Sequence, residues 1–309
     1  MNVAEIVTQR ILESMQKDKV VPWHKPWTCL AFRNAVSKKA YRGVNVLMLS
    51  IFGNDVWYMT PKQIKEHGGN IKKGTHTVPI VFWHVYPEEK DSGGNVTKKA
   101  HWILRYYNVL SLKDTEGVKI KLPELKKLDF TPNEIAEKLI AASGAKVMHG
   151  GNSACVTKRG DEVVILMPNK DQFSTTEEYY ATLFHELTHW VHYKDASATE
   201  WNTFGSEPYS KEELTAEVGA NFLLSFCSID ASNTYNNSVA YLNNWIEKLG
   251  KEPKWIVTAS SAANRRFDSL VAKAFPEMAN NGQADSEPHN GEISNAEVSQ
   301  PATSELVAA

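Results

Sequence analysis

Apolar residues recur at helical spacing at the start of the chain. They lie three or four positions apart, at Val3, Ile6, Val7, Ile11 and Met15. This spacing predicts an amphipathic helix over residues 3–17. Farther along, Thr77 to Tyr86 and Ala100 to Val109 are rich in Val, Ile, Trp and Tyr, which favours strands. The first part of the chain is therefore predicted to be mixed, with a small antiparallel sheet.

Local start signals predict further elements. Thr60-Pro61 is typical of an N-cap followed by proline at the first helical position. Pairs of the capping-box type, a Ser or Thr with a Glu three residues later, predict three more helix starts. They occur at Thr131/Glu134, Ser174/Glu177 and Ser210/Glu213. The second and third of these helices are expected to reach about Lys194 and Cys227.

The remaining pattern completes a predicted α+β fold. The run Glu162 to Met167 predicts a buried strand, and residues 234–249 and 255–275 have helical periodicity. We expect a small N-terminal domain over 1–122 and a linker over 123–130. A mostly helical domain over 131–276 should follow. From Glu277 to residue 309 large apolar residues are almost absent, which predicts a disordered tail.

Composition narrows the protein's class and location. The 309 residues are 42% hydrophobic, which is ordinary for a globular protein. No apolar run approaches the roughly 20 residues that span a bilayer, and the N-terminus lacks a secretory h-region. Three widely separated cysteines argue against a disulfide framework. We therefore predict a cytoplasmic protein without a membrane partner.

The small net charge of −2 hides a large asymmetry. Residues 1–130 carry 21 basic and 12 acidic residues, a net charge of +9, and residues 131–309 carry a net charge of −11. Such a contrast indicates two parts with different partners, and the basic part is a candidate for binding nucleic acid. The alternative is that two solvated surfaces simply differ in composition.

The sharpest chemical signal is the segment His185-Glu186-Leu187-Thr188-His189. Residues four apart on a helix share a face, so His185 and His189 can bind one metal ion. Glu186 is then placed to accept a proton from water bound to that ion. This pattern is typical of a zinc metallopeptidase, and Zn²⁺ is the predicted cofactor.

A catalytic zinc normally takes a third protein ligand. Glu213 and Glu217 are four apart on a later predicted helix and can supply it. We assign Glu213 as the ligand and Glu217 as the residue that hydrogen-bonds a ligating histidine. Alternatively Glu213 only caps its helix with Ser210, and Glu217 is the ligand.

Two nearby residues have less specific expectations. His192, three positions after His189, is expected to border the cleft or to pack beneath it. Tyr209 is a candidate donor to a developing oxyanion, although a plain aromatic contact is the simpler role.

Several motifs together resemble one known family. The zinc motif, Tyr179 to Leu183 before it and Glu212 to Glu217 after it resemble the C-terminal zincin-like metallopeptidase domain of ArdC-type antirestriction proteins. In the first half, Trp23 to Trp27, Tyr41 to Asn45 and Lys72 to Gly74 look like the N-terminal domain of that family, which TraC-type conjugative primases share. The resemblance implies a single-stranded DNA-binding domain, followed by a metallopeptidase fold, in a protein of plasmids or other mobile elements.

Candidate DNA contacts lie in those N-terminal motifs. Single-stranded DNA binders combine aromatic rings, on which bases stack, with basic side chains. The candidates that provide rings or charge are Trp23, Lys25, Trp27, Tyr41 and Arg42. The resemblance adds Asn45, and Lys72 and Lys73 are either phosphate contacts or part of a solvated turn. Trp57, Trp83 and Trp102 are expected in the core.

Three functional hypotheses follow. The leading one is an antirestriction-like protein of a mobile element that binds single-stranded DNA and carries a zinc-dependent peptidase site. Its protein partner would be a host substrate of the peptidase or a restriction enzyme. The second is a non-catalytic protein that coats the strand and has a structural or vestigial zinc site. The third is an acidic mimic of DNA that occupies a restriction enzyme.

Overall fold

The computed structural model describes residues 2–18, 32–53, 55–90, 96–123, 132–194, 207–231 and 239–279. Within these ranges the helices are α1 (Val3–Asp18), α2 (Val44–Phe52), α3 (Pro61–Glu66), α4 (Pro132–Ser143), α5 (Thr176–Tyr193), α6 (Glu207–Cys227), α7 (Val239–Lys251), α8 (Lys254–Ala274) and α9 (Pro276–Ala279). The strands are β1 (Arg33–Asn34), β2 (Trp57–Met59), β3 (Asn70–Ile71), β4 (Val78–Tyr86), β5 (Glu89–Lys90), β6 (Val96–Lys98), β7 (His101–Ser111), β8 (Thr115–Glu116), β9 (Lys146–His149), β10 (Cys155–Arg159) and β11 (Glu162–Met167). The predicted α+β class is confirmed.

The main N-terminal sheet has the strand order β1-β2-β7-β4. β2 pairs with β7, and β7 with β4, in antiparallel fashion, as predicted, whereas β1 and β2 are parallel. The long hairpin of β4 and β7 pairs without interruption from Val78↔Val109 to Tyr86↔His101. Its strands agree with the predicted ones to within two residues at each end.

The start of α3 shows a sequence signal that works locally. The Thr60 side chain accepts a hydrogen bond from the Gln63 amide, and the Gln63 side chain bonds back to the Thr60 amide. Pro61 lies in the first turn, where a helix needs no amide donor. The Thr60-Pro61 prediction is confirmed.

Two other predicted helix starts are wrong. Thr175, not Ser174, caps α5, because its side chain accepts a hydrogen bond from the Glu178 amide. α6 begins at Glu207, so Ser210 is a buried residue inside the helix and forms no capping box with Glu213. Pro208, in the first turn, is the sequence signal for the earlier start.

Within the described residues, the second half combines six helices, α4 to α9, with a three-stranded sheet of order β10-β11-β9. β11 has the predicted bounds Glu162–Met167 and lies in the middle of this sheet. The indole of Trp190 donates a 2.8 Å hydrogen bond to the carbonyl of Val163, which fixes α5 to β11. At the C-terminal end α9 reaches Ala279, so residues 277–279 are helical, and the rest of the predicted tail lies outside the described residues.

One apolar core joins the two halves. It contains Ile11 and Leu47 from the first half, and Val218, Leu249 and Ile256 from the second. The predicted linker over 123–130 lies, apart from Pro123, outside the described residues. None of the helices in the described ranges is both long and apolar enough to cross a membrane.

Candidate metal centre

Helix α5 places the two predicted histidines on one face. His185 and His189 are one turn apart, and their Nε2 atoms lie 3.1 Å from each other. The ring planes are nearly perpendicular, at 80°. Both imidazoles therefore present a nitrogen to the same point in space.

Helix α6 supplies the carboxylate. Glu213 Oε2 lies 3.5 Å from His185 Nε2, and Glu213 Oε1 lies 3.4 Å from His189 Nε2. One ligand atom from each of His185, His189 and Glu213 falls within 4.8 Å of the other two, and these residues form the metal-binding group found in the described part of the chain. Two imidazole nitrogens and one carboxylate oxygen are a donor set that suits a divalent transition-metal ion. The centre fits such a cation.

Glu186 lies between the metal-binding histidines and the sheet. It is buried, and it accepts a backbone hydrogen bond from Val156 of β10. Burial raises the pKa of Glu186, against the opposing effect of the two histidines. A buried carboxylate beside a metal centre is suited to taking up and releasing a proton.

Glu212 makes a hydrogen bond to a metal-binding histidine, which is the kind of contact that the sequence predicted for Glu217. His189 Nδ1 donates to Glu212 Oε1 at 3.0 Å. Arg266 of α8 holds the same carboxylate with bonds of 2.6 and 2.7 Å to its two oxygens. With Nδ1 engaged by Glu212, the Nε2 atom of His189 is directed at the metal position.

The neighbouring charges in this cluster favour a protonated His189 imidazole beside ionised carboxylates. Burial lowers the pKa of His189, but the hydrogen bonds to Glu212 and Glu213 outweigh it and raise the pKa to about 9. Burial raises the pKa of Glu213, but its hydrogen bonds to His185 and His189 outweigh burial and bring the pKa well below the usual range of a carboxyl group. A cation bound here would replace that positive charge.

Tyr209, His192 and Glu217 lie around the centre. Tyr209 hydrogen-bonds Glu213, and burial together with that charge raises its pKa to about 12, so the hydroxyl stays a donor at neutral pH. His192 Nε2 is 3.9 Å from Glu212 Oε2 and is not in the metal-binding group. Glu217 lies one turn beyond Glu213 on α6, and its predicted role stays a prediction.

A close helix contact sets the distance between the ligands. A Cβ atom on Gly219 of α6 would lie only 2.6 Å from Cγ2 of Thr188, which stands between the two histidines of α5. Real Cβ atoms essentially never approach so closely, so the glycine lets the two helices pack at their observed separation. Glu213 is brought to the histidines by this packing.

Several predicted DNA contacts have roles inside the protein. Arg42 forms an ion pair with Asp268 of α8, and the Gly43 amide donates 2.8 Å to Asn264 Oδ1 on the same helix. The Asn45 amide group bonds both the N–H and the carbonyl of Val81, each at 2.8 Å. This motif docks on α8 and on the edge of β4, and DNA contact by these residues stays a prediction.

The other DNA candidates have mixed outcomes. Trp23, Lys25 and Trp27 lie outside the described residues. Tyr41 is half-buried against Tyr58, with ring centroids 6.4 Å apart. Lys73 and Lys72 are exposed, and Lys72 Nζ donates to the Lys113 carbonyl at 2.7 Å.

The core prediction for the tryptophans was partly wrong. Trp57 is buried as expected, but Trp83 is 55% exposed on the β4–β7 hairpin. The side chain of Trp102 is outside what the structure describes. The hairpin carries aromatic residues on both of its faces, so an aromatic residue of β4 or β7 is not necessarily a core residue.

Family models match both halves of the chain. The N-terminal domain of the anti-restriction factor ArdC matches residues 1–110, and a zincin-like metallopeptidase model matches residues 134–262. Arg266 falls just beyond the second match. The order of the two models is the order of the predicted domains.

Curated relatives include two DNA primases TraC of Escherichia coli, 30% and 28% identical over 292 and 289 residues. Each match covers 87% of this chain, but only 27% and 20% of the primases, so the chain spans about a quarter of their length or less. An uncharacterized protein y4eC of Sinorhizobium fredii is 26% identical, with 88% of this chain and 92% of that protein covered.

Solved structures of the antirestriction protein ArdC from plasmid R388 share the fold. The metal-free form has a TM-score of 0.71 and 27% identity, over 92% of this chain and all of that one. The Mn(II)-bound form has a TM-score of 0.70 and 26% identity, over 89% of this chain and 99% of that one.

Proposed function

The chain belongs to the ArdC-type antirestriction family, and we propose that it is a zinc-dependent peptidase that also binds single-stranded DNA. The observation that supports the peptidase best is the convergence of His185, His189 and Glu213 on one point beside the buried carboxylate of Glu186. Structural zinc sites are usually closed by four protein ligands. The three ligands found in the described part of the chain match a catalytic site, in which a further position is kept for water.

Zn²⁺ is the cation we assign to these residues, because two imidazoles and one carboxylate are a frequent donor set of catalytic zinc. When bound, the cation supplies Lewis acidity that polarises a peptide carbonyl and acidifies water. His185, His189 and Glu213 hold it, and Glu212 keeps the His189 ring in the orientation that exposes Nε2.

Glu186 carries the proton in the proposed reaction. Its carboxylate accepts a proton from a water molecule as the water oxygen forms a bond to the peptide carbon. The carbon–nitrogen bond then breaks, and Glu186 delivers the proton to the departing amine. Tyr209, held as a donor beside Glu213, is placed to stabilise the negative charge that develops on the carbonyl oxygen.

DNA binding is proposed for the first half. Its net charge of +9 over residues 1–130 suits a polyanion. The matches to the two relatives named as DNA primases cover 87% of this chain, so they include most of this basic half. We propose that the protein is carried by a plasmid or another mobile element, acts in the cytoplasm and protects incoming DNA from restriction.

The experiment is N-terminal profiling of host proteins in cells that make wild type, Glu186→Gln or Glu177→Gln. Glu177 is an exposed residue of the same helix and serves as the matched control. We expect new protein N-termini with wild type and Glu177→Gln, and their loss with Glu186→Gln. Identical profiles in all three strains would contradict peptidase activity.

The same three strains, together with a variant whose acidic residues outside the metal centre are neutralised, separate the rival functions by protection against restriction. Loss of protection with Glu186→Gln alone supports a proteolytic mechanism. Retention of protection by Glu186→Gln would support the strand-coating alternative. Loss of protection only after neutralisation of acidic residues outside the metal centre would support the acidic mimic of DNA.

A further inference from the structure

We propose that one face of the β4–β7 hairpin is a stacking surface for single-stranded DNA. This ribbon face consists of Phe82, His84 and Tyr86 of β4, and His101, Ile103, Arg105 and Tyr107 of β7. The inference rests on the proposed DNA binding of the first half and names the surface that performs it. It differs from the motif residues Tyr41 to Asn45, in which the side chains of Arg42 and Asn45 are engaged by α8 and β4.

The antiparallel register puts these residues on one side. Phe82 is directly opposite Arg105, and Tyr86 is directly opposite His101. Opposite residues of an antiparallel pair share a face, and the side chains alternate along each strand. The same face continues on β4 to Ile80, opposite Tyr107, and Ile80 belongs to the apolar core. The seven ribbon-face residues themselves belong to none of the apolar core clusters of the described chain.

The rings on this face are already ordered. Tyr86 and His101 are stacked, with centroids 4.8 Å apart and planes at 7°. Phe82 and Tyr107 are 5.6 Å apart, and Tyr107 is 37% exposed. Rings held by their neighbours lose little conformational entropy when a base stacks on them. The face therefore offers a preorganised row of aromatic surfaces.

The charge of the hairpin suits a polyanion. β4 and β7 contain no Asp or Glu, although the chain has 36 acidic residues. Arg105 donates a 2.5 Å hydrogen bond to the Tyr86 hydroxyl, so its guanidinium is fixed beside the rings. Exposed Lys98 and Lys99 lead directly into β7. Rings interleaved with cations are the combination with which proteins bind unpaired strands.

The opposite face lacks this combination and provides the control. Its described residues Val81, Trp83, Val85, Leu104 and Tyr106 include no charged side chain. Val81 and Leu104 pack on the core shared with the helices, whereas Trp83 is 55% exposed. The bases of a duplex are already stacked on each other, so only the bases of an unpaired strand can stack on the rings of the ribbon face.

The test is a titration of the full chain with a fluorescein-labelled oligothymidylate and with its duplex, at several salt concentrations. For Tyr107→Ala we expect affinity for the single strand to fall about tenfold, which is the scale of one lost base stack. Tyr107→Phe keeps the ring and should bind like wild type. Arg105→Gln should reduce the slope of log K against log salt by about 0.7, the value of one phosphate contact. Trp83→Ala, on the opposite face, should stay within about twofold of wild type.

The outcomes separate the two levels of the proposal. Wild type that binds neither oligonucleotide, or both equally, overturns the proposed DNA binding and the ribbon face with it. Wild type that prefers the single strand, together with unchanged affinity of Tyr107→Ala and an unchanged salt slope of Arg105→Gln, overturns the ribbon face alone. An equal loss with Trp83→Ala also overturns it. Where Tyr107→Ala fails to fold, the Arg105→Gln slope decides.

Discussion

Arg266 holds Glu212 by two hydrogen bonds of 2.6 and 2.7 Å, one to each carboxylate oxygen. Both side chains are almost entirely buried, and Glu212 also accepts a hydrogen bond from Nδ1 of His189. Helix α8 thus orients a metal-binding side chain of α5 through a carboxylate of α6. The same helix binds Arg42 through Asp268, so it contacts both the N-terminal motif and the metal centre.

This relationship predicts that Arg266→Met weakens metal binding without removing a ligand. Loss of residues that hydrogen-bond metal ligands through such contacts typically costs about tenfold to 100-fold in affinity. We expect a loss in this range, measured by competition with a chromophoric chelator. Arg266→Lys should be intermediate, because an ammonium cannot make two parallel bonds to a carboxylate.

The control for that measurement is Arg265→Met, the neighbouring residue, which makes neither bond to Glu212 in the described structure. Its metal affinity should match wild type. Equal affinities for Arg266→Met and wild type, with both proteins folded by circular dichroism, would show that Arg266 does not position His189.

The contact of Gly219 with Thr188 makes a second prediction. Gly219→Ala puts a methyl group 2.6 Å from Thr188 Cγ2, so α5 and α6 must separate. We expect the free energy of unfolding to fall by about 1–3 kcal/mol, the usual cost of overpacking, and metal affinity to fall with it. The measurement is urea denaturation together with chelator competition.

Thr188→Ala should rescue that variant, because it removes both atoms that the new methyl group meets most closely. In a double-mutant cycle the two substitutions should therefore be non-additive. Additive losses of stability would show that the helix separation does not depend on this contact.

The contacts of the Asn45 side chain lead to a prediction about the stability of the fold. Its side chain bonds the amide and the carbonyl of Val81 at the edge of β4, and Asn45→Ala leaves both groups without these partners. We expect the free energy of unfolding to fall by about 1–3 kcal/mol. Asn70→Ala, at an exposed position, should be near neutral. Stability of Asn45→Ala equal to wild type, with reduced DNA affinity, would instead support the DNA contact predicted from the sequence.

The sequence predicts well where the signal is local. Thr60 and Gln63 meet within one helical turn, and the spacing of His185 and His189 places both on one face whatever surrounds the helix. Glu213 was assigned as a ligand from a second helix, which local spacing cannot place. The position of its carboxylate beside both histidines agrees with that assignment. The apolar run Glu162 to Met167 also predicted β11 at its observed bounds.

Contacts between residues that are far apart in the sequence cannot be predicted from local patterns. Glu212 and Arg266 are 54 residues apart and meet only because α6 packs on α8. No local pattern distinguishes Glu212 from Glu217 as the partner of His189. The exposure of Trp83 likewise depends on how far the hairpin extends beyond the helices that cover its base, since aromatic residues favour strands whether or not these are buried.

The binding of one divalent cation by His185, His189 and Glu213 can be measured in crystals of the full chain soaked in Zn²⁺, with data collected above and below the zinc absorption edge. We expect one anomalous peak about 2 Å from Nε2 of both histidines and from a Glu213 oxygen. The peak should be lost in His189→Ala. Soaked wild-type crystals without a peak at this position would show that these three residues do not form a metal site.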